Sequence, residues 1–326
     1  MNYDFITIGG ATRDISFFTD QGVIINNKKD ILRQKVLAFE SGAKIKVDKY
    51  YYSYGGGAAN AAVCLANFGL KTACLTVVGD DENGHLIVED LKKNRVAVNF
   101  ISRVPKKESG SSFILISPSG ERIIFAQRGA NKDLRISGSD QSALQKTKNI
   151  YIASLSGAWS ANLKKIFSVV KEGRPKIFWN PGLTQYAHGL EGMRPFMDKV
   201  YVLALNKDEA IELVLKTKGY GHLSQPFLNK TENLGKIIQS FGPQIVLITL
   251  GAKGVLCYDG HKIYQRPILK EHKRVDTTGI GDVFNSSFAA GLNMFNNNIN
   301  QALSLALKNA AAKVGHLGAH NGLIKL

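Results

Sequence analysis

The stretch from Asp276 to Gly291, reading Asp-Thr-Thr-Gly-Ile-Gly-Asp-Val-Phe-Asn-Ser-Ser-Phe-Ala-Ala-Gly, constrains this chain more than any other. Its apolar and small residues Val283, Phe284, Phe288 and Ala289 recur at helical spacing, so Gly279-Ile280-Gly281 should form the turn that opens a helix. Glycine in that turn permits positive φ and lets another group come close to the backbone. The N–H groups left free at a helix start, with the positive end of the helix dipole behind them, make an anion pocket. Asp282 stands at the mouth of that pocket, where a carboxylate repels what the backbone attracts. The pairing makes chemical sense if Asp282 takes a proton from a group that reacts with the bound anion. Phosphoryl transfer to a hydroxyl has this form: the turn's N–H groups hold the phosphoryl and Asp282 accepts the proton. A helix cap with an acidic first turn is the plainer alternative.

The remaining chain narrows the class. A length of 326 residues allows one large α/β domain or two smaller ones, and 44% apolar residues is an ordinary globular composition. Cys64, Cys74 and Cys257 lie far apart, which indicates neither a disulfide framework nor a zinc site and suits a reducing cytoplasm. The first residues have no basic n-region and no long apolar run, so no signal peptide is expected. No stretch approaches the roughly 18 apolar residues of a membrane span. The net charge of +16 raises the question of nucleic acid, but Lys and Arg are scattered and no basic run is interleaved with stacking aromatics. A basic balance favours ATP and other anions without identifying them. Nucleic acid and membrane are therefore not expected as partners.

Residues 3–9 alternate as a first strand that stops at Gly9-Gly10, with Asp14 just beyond. Ligand groups collect past the carboxyl ends of strands, so Asp14 is placed to accept hydrogen bonds from hydroxyls; a turn aspartate is the alternative. Short β-rich runs at 22–26, 35–39 and 43–47, then Tyr50 to Tyr54, lack intervening helices and suggest a small antiparallel sheet protruding from the main body. A second set at about 97–104, 112–117 and 121–127, with a turn at Pro118-Ser119-Gly120, completes it. Gly55-Gly56-Gly57-Ala58-Ala59-Asn60 opens an Ala-rich helix where backbone can approach a polyhydroxylated ligand, and the Asn60 amide can hold a pair of hydroxyls. Close helix–strand packing explains the same run equally well. From about 149 strand and helix alternate. Asn206 and Glu209 form a capping box after the strand ending at Leu205. No Walker A loop is present, because Gly235-Lys236 is followed by Ile237, and no dinucleotide fingerprint follows the first strand.

Asp276-Thr-Thr-Gly-Ile-Gly-Asp282 resembles the C-terminal signature of the PfkB, or ribokinase-like, kinases of carbohydrates and nucleosides, with Ile280 where the family usually has Ala. Gly55 to Asn60 resembles the N-terminal signature. The resemblance runs over nearly the whole chain and implies a single ribokinase-like domain over 1–326. It implies a three-layer α/β/α sandwich around a mostly parallel sheet, with a β lid formed by about 11–54 and 97–128. It implies Asp282 as the general base with Gly279, Ile280 and Gly281 in the anion hole. Asp14, Gly55, Gly56 and Asn60 then contact sugar, while Thr249, Gly251, Gly254 and Asn309 contact ATP. Glu209 with Asn206 organises Mg²⁺, acting on the metal through water because Mg²⁺ dehydrates reluctantly. The tail Gly318-Ala319-His320-Asn321 resembles the family's monovalent-cation loop, which implies K⁺. The segment before Tyr50 is longer than expected of the family, and its extra strands suit a homodimer through the lid. Where ribokinase relatives carry an acidic group after the Tyr151 strand, this chain has Ser154-Leu155-Ser156. The expected function is ATP-dependent phosphorylation of a small sugar or sugar derivative in the cytoplasm. An adenosine-type nucleoside kinase and a non-catalytic sensor are the alternatives; a sensor need not keep Asp14, Glu209 and Asp282 together.

Overall fold

The structure, a computed structural model, describes residues 2–27, 35–117, 122–270 and 274–326. Its frame is a nine-stranded sheet in the order β15-β14-β13-β12-β11-β10-β1-β6-β7. The strands are β1 (Phe5–Ile8), β6 (Thr72–Gly79), β7 (Ile101–Val104), β10 (Asn149–Ile152), β11 (Lys176–Trp179), β12 (Val200–Asn206), β13 (Ile245–Thr249), β14 (Val255–Tyr258) and β15 (Ile263–Arg266). From β7 to β13 every neighbour is parallel, and only β14 and β15 run antiparallel.

Both faces of this sheet are covered, so its strands read as continuous apolar runs. Side chains still alternate between two cores. Phe5, Tyr151, Phe178 and Val202 pack with the helices Gly57–Asn67, Ile280–Met294 and Ile299–Lys313 on one face. Ile6, Ile150, Trp179 and Leu203 pack with helices on the other. The result is the expected three-layer sandwich. The chain leaves β1 toward β6 on one side and returns as β10 on the other, so the strand order reverses at β1. A crevice at the carboxyl ends of the strands is the usual consequence of such a reversal.

A second sheet, β5-β2-β8-β9, stands apart: β2 (Thr12–Phe18), β5 (Lys49–Gly55), β8 (Gly110–Ile116) and β9 (Arg122–Gln127). A two-stranded pair, β3 (Val23–Asn26) and β4 (Lys35–Ala38), extends from it. Three particulars differ from the sequence expectation. Strand β2, which carries Asp14, pairs parallel with β8, so the small sheet is mixed rather than antiparallel. The 43–47 run forms no strand. Ile101–Val104 joins the edge of the large sheet beside β6 instead of the small one. The expected turn at Pro118-Ser119-Gly120 lies outside the described residues.

The two sheets meet at the β1–β2 junction, and Asn131 fixes it. Its Oδ1 accepts from the Ala11 N–H at 3.2 Å, and its Nδ2 donates to the Ala11 carbonyl at 3.0 Å. This two-point clasp is sealed from water, so it holds the start of β2 above the end of β1.

Candidate active site

Gly279 caps the helix Ile280–Met294 in the left-handed region at φ 71°, and a Cβ there would lie 2.5 Å from the Ala319 Cβ. Only glycine fits, and the turn it makes aims the helix's free N–H groups at the crevice. Asp282 sits in the first turn of this helix. Its Oδ2 accepts from Asn60 Nδ2 at 2.7 Å, joining the two motifs across 222 residues of chain. The Asn60 Oδ1 faces His320 Nε2 at 3.0 Å, and His320 Nδ1 faces Asp90 Oδ2 at 2.7 Å. Tyr54 stacks over the His320 ring. The row Asp90–His320–Asn60–Asp282 fixes the Asp282 carboxylate in place. Burial raises the Asp282 pKa, the Asn60 hydrogen bond and the Arg122 charge oppose the shift, and the negative charge of Asp14 adds to it. A carboxyl pushed upward by burial in a cleft is suited to proton transfer near neutrality.

Asp14 is 3% exposed, and its Oδ1 accepts from Thr12 Oγ1 at 2.7 Å. Burial raises its pKa as well, against hydrogen bonds from Thr12 and Ser112. The glycines explain how it is accommodated. A Cβ on Gly55 would lie 2.0 Å from Asp14 Oδ2, and one on Gly56 would lie 2.4 Å from the Gly10 carbonyl oxygen. A Cβ on Gly57 would approach Asp282 Oδ1 to 3.4 Å. The glycine run therefore lets the small sheet, the Gly57–Asn67 helix and the Ile280–Met294 helix converge at one point.

On the far side of the anion-holding turn lies a cleft of about 390 Å³. Thr249, Gly251, Gly254 and Asn206 line it together with Ile280 and Gly281. Phe284, Leu307, Ala310 and Ala311 give it an apolar wall fit for a flat ring. A groove of about 820 Å³ continues from it past Asn206, Lys207 and Lys253. Arg122, from β9, reaches down from the small sheet and donates to Thr277 Oγ1 beside the turn. The small sheet thus carries a cation to the turn before the Ile280–Met294 helix.

Asn206 and Glu209 form the full capping box. Asn206 Oδ1 accepts from the Glu209 N–H, and Glu209 Oε2 accepts from the Asn206 N–H, each at 2.8 Å. Burial pushes Glu209 up to about 7, against the Asn206 bond, with the Asp282 charge adding to the shift. Among the described residues no group of three or more His, Cys, Asp or Glu is arranged to hold a metal. The side-chain oxygens of Asn206 and Glu209 would suit Mg²⁺, which dehydrates reluctantly and is commonly held by one or two protein oxygens, substrate phosphates and water.

Asn309 is placed otherwise than expected. It is fully buried, donates to Ser287 Oγ at 2.8 Å and accepts from the Ile324 N–H at 2.8 Å. Its amide is committed to tying the C-terminal tail to the helix pair, and its neighbours Ala310 and Ala311 line the cleft instead. The sequence reading passed over Asp90, Arg122 and Lys313. Asp90 and Arg122 carry no local signal. Lys313 carries none either, since a lysine at a helix end is ordinarily solvated.

Comparison with known proteins agrees with this geometry. The profile described as pfkB family carbohydrate kinase matches residues 28–326. Mouse ribokinase is 28% identical over 255 residues, covering 77% of this chain and 74% of its own length. The ribokinase of Lactococcus lactis is 29% identical over 273 residues, covering 83% of each. Among solved structures, Cryptococcus neoformans ribokinase in complex with ADP superposes with a TM-score of 0.78 at 22% identity, over 100% of this chain and 98% of its own. The nucleoside kinase of Burkholderia thailandensis in complex with inosine superposes at 0.74 and 16% identity, over 98% and 94%. The chain belongs to the pfkB family of carbohydrate kinases. It is an ATP-dependent kinase of that family, with a ribokinase fold.

Proposed function

We propose that the protein phosphorylates a hydroxyl of a small sugar or sugar derivative, with Asp282 as general base. The observation that carries this reading is the Asp282 carboxylate, held by Asn60 at 2.7 Å between the Asp14 side of the crevice and the cleft behind Gly281. A hydroxyl hydrogen-bonded by Asp14 and Asn60 lies against Asp282, which removes its proton as the oxygen attacks. The N–H groups of Gly279, Ile280 and Gly281 hold the transferring phosphoryl, and Thr249, Gly251 and Gly254 border the nucleotide. Mg²⁺, when bound near Glu209 and Asn206, neutralises phosphate charge. The charge of Asp14 raises the Asp282 pKa and the charge of Asp282 raises that of Glu209, so three carboxyls are linked in series across the site, which favours an enzyme over a sensor.

A panel of sugars and nucleosides, followed by ADP release, tests the reading. A sugar phosphorylated at least tenfold faster than any nucleoside is expected. Turnover confined to nucleosides would exclude the sugar assignment, and no turnover with any acceptor would favour the sensor.

The lid also supports a homodimer. Val23, Ile24, Ile25, Phe113 and Phe125 are exposed apolar side chains on its two sheets, and Phe113 pairs directly with Phe125. Sedimentation equilibrium is expected to give twice the 35.6 kDa chain mass.

A further inference from the structure

The turn that leads into the anion pocket already holds a cation. Lys313, the last residue of the helix Ile299–Lys313, is 0% exposed, and its Nζ donates to the main-chain oxygen of Asp276 at 2.8 Å. The same Nζ lies 3.8 Å from Asp276 Oδ2. The other acceptor positions of Asp276 are also engaged. Oδ1 accepts from the Thr278 N–H at 2.7 Å, and Oδ2 accepts from the Gly318 N–H at 2.8 Å and from the Tyr51 hydroxyl at 3.0 Å. The N–H groups of Val275 and Asp276 both bond the Val314 carbonyl, so the two loops are laced together around this point.

The tail Gly318-Ala319-His320-Asn321, whose resemblance implies a bound K⁺, meets the Asp276 turn here through the Gly318 N–H. A monovalent ion there needs several free oxygens, and the Asp276 oxygens are taken by protein donors. A second cation would also sit beside a buried ammonium and in the field of Arg122, whose charge acts on Lys313. The residues present therefore do not fit a K⁺ site at Asp276. We propose that the Lys313 ammonium is the fixed monovalent cation of this protein, standing where a diffusible one would and making its nucleotide site independent of K⁺.

The ammonium is well suited to that task. Burial draws the Lys313 pKa down to about 8 while Asp276 pulls it up, so the group stays charged at neutral pH. Burial raises the Asp276 carboxyl, but Lys313 and the Thr278 and Gly318 N–H groups outweigh it and hold the carboxyl below its usual range. Lys313 binds the carbonyl end of the peptide that begins the turn. The N–H groups that follow in the turn are thereby oriented toward the phosphoryl, with a positive charge behind them. Lys313 touches neither substrate nor nucleotide in this role; it is a positioning residue.

The inference rests on the turn being the phosphoryl-holding element, but its test needs no acceptor sugar. Melting temperature and the affinity of a non-hydrolysable ATP analogue are measured in choline chloride and in potassium chloride at equal ionic strength. Three proteins are compared: wild type, Lys313→Ala, which opens space for an ion, and Lys313→Met, which fills the space without charge. Wild type is expected to give the same values in both salts. Lys313→Ala is expected to bind the analogue about tenfold more weakly in choline chloride, the scale of one lost charge interaction near a wet cleft, and to regain affinity and melting temperature in potassium chloride. Lys313→Met is expected to show the loss without the recovery. A rise in wild-type melting temperature or affinity specific to potassium overturns the proposal. So does a folded Lys313→Ala protein that binds like wild type in both salts. If Lys313→Ala does not fold, the wild-type response and the Lys313→Met loss decide.

Discussion

At the scale of single residues, the site is a set of carboxyls whose acidities are set by burial. For Asp282, neutralising the side chain removes the base but also removes a buried charge whose raised pKa marks a cost to folding. Asp282→Asn is therefore expected to keep its melting temperature, or gain slightly, while phosphotransfer falls by about 10²–10⁴-fold. Steady-state kinetics and calorimetry on one preparation check both halves; turnover within a few-fold of wild type would remove Asp282 from the role of base. Glu209 gives a pH prediction. Its pKa is about 7 in the folded protein against 4.5 ordinarily, so the folded state binds the extra proton. The stability this contributes is fully present below about 4.5 and is lost as pH rises through 7. Mg²⁺ bound beside Glu209, as proposed, would compete with that proton, so its apparent affinity is expected to rise with pH up to about 7 and its binding to release protons below it. Calorimetry in buffers of different ionisation enthalpy measures the release, and Glu209→Gln is expected to abolish it.

At the scale of elements, the lid sheet is part of the sugar side of the crevice rather than a cover laid over it. Strand β2 carries Asp14, and its partner β5 ends at Gly55, which is paired with Thr12. A methyl group on Gly55 would occupy the space of Asp14 Oδ2. Gly55→Ala is therefore expected to act like Asp14→Ala. Loss of a hydrogen bond to a charged group is worth about 1.5–3 kcal/mol, or about a 10- to 150-fold loss of sugar affinity. Nucleotide affinity should be nearly unchanged in both variants. Separate titrations of the best acceptor and of an ATP analogue distinguish this from a folding defect, which weakens both ligands together. The same sheet sends Arg122 to Thr277, so in the proposed reading sugar contact through Asp14 and phosphoryl contact through Arg122 come from one sheet. Occupancy of the sugar side thus bears directly on the position of a cation at the reacting phosphate.

At the scale of the whole molecule, a net charge of +16 bears on encounter with an anionic nucleotide. Long-range attraction is screened beyond about 8 Å at physiological ionic strength. The value of kcat/KM for ATP is accordingly expected to fall as inert salt is added, while kcat at saturation holds. A kcat/KM independent of ionic strength would show that the charge is spread too evenly to steer. Lys207, Lys253 and Arg122 along the cleft and its groove are the local part of that field.

Local sequence determined those features that backbone chemistry alone can specify. A glycine turn before a small-residue helix is set by local backbone chemistry, so the helix start at Gly279 to Asp282 was legible. The Asn206–Glu209 capping box was legible for the same reason, since its bonds span three residues. The alternation of strands and helices after 149 was legible from local pattern, whereas the mostly parallel sheet was expected from the family resemblance; the alternation fits it, because parallel neighbours require crossovers. Tertiary structure decided what depends on partners distant in the chain. That Asp14 lies within a strand, between β5 and β8, was decided by pairings that span tens of residues. Ile101–Val104 has the composition of a lid strand, and only the free edge of β6 assigns it to the large sheet. Asn309 faces Ser287 and Ile324 instead of the cleft because helix rotation is set by packing, which no motif encodes. Lys313 is the clearest case. A lysine at a helix end is ordinarily solvated, and only the Asp276 turn folding over it, 37 residues away in sequence, turns it into a buried cation.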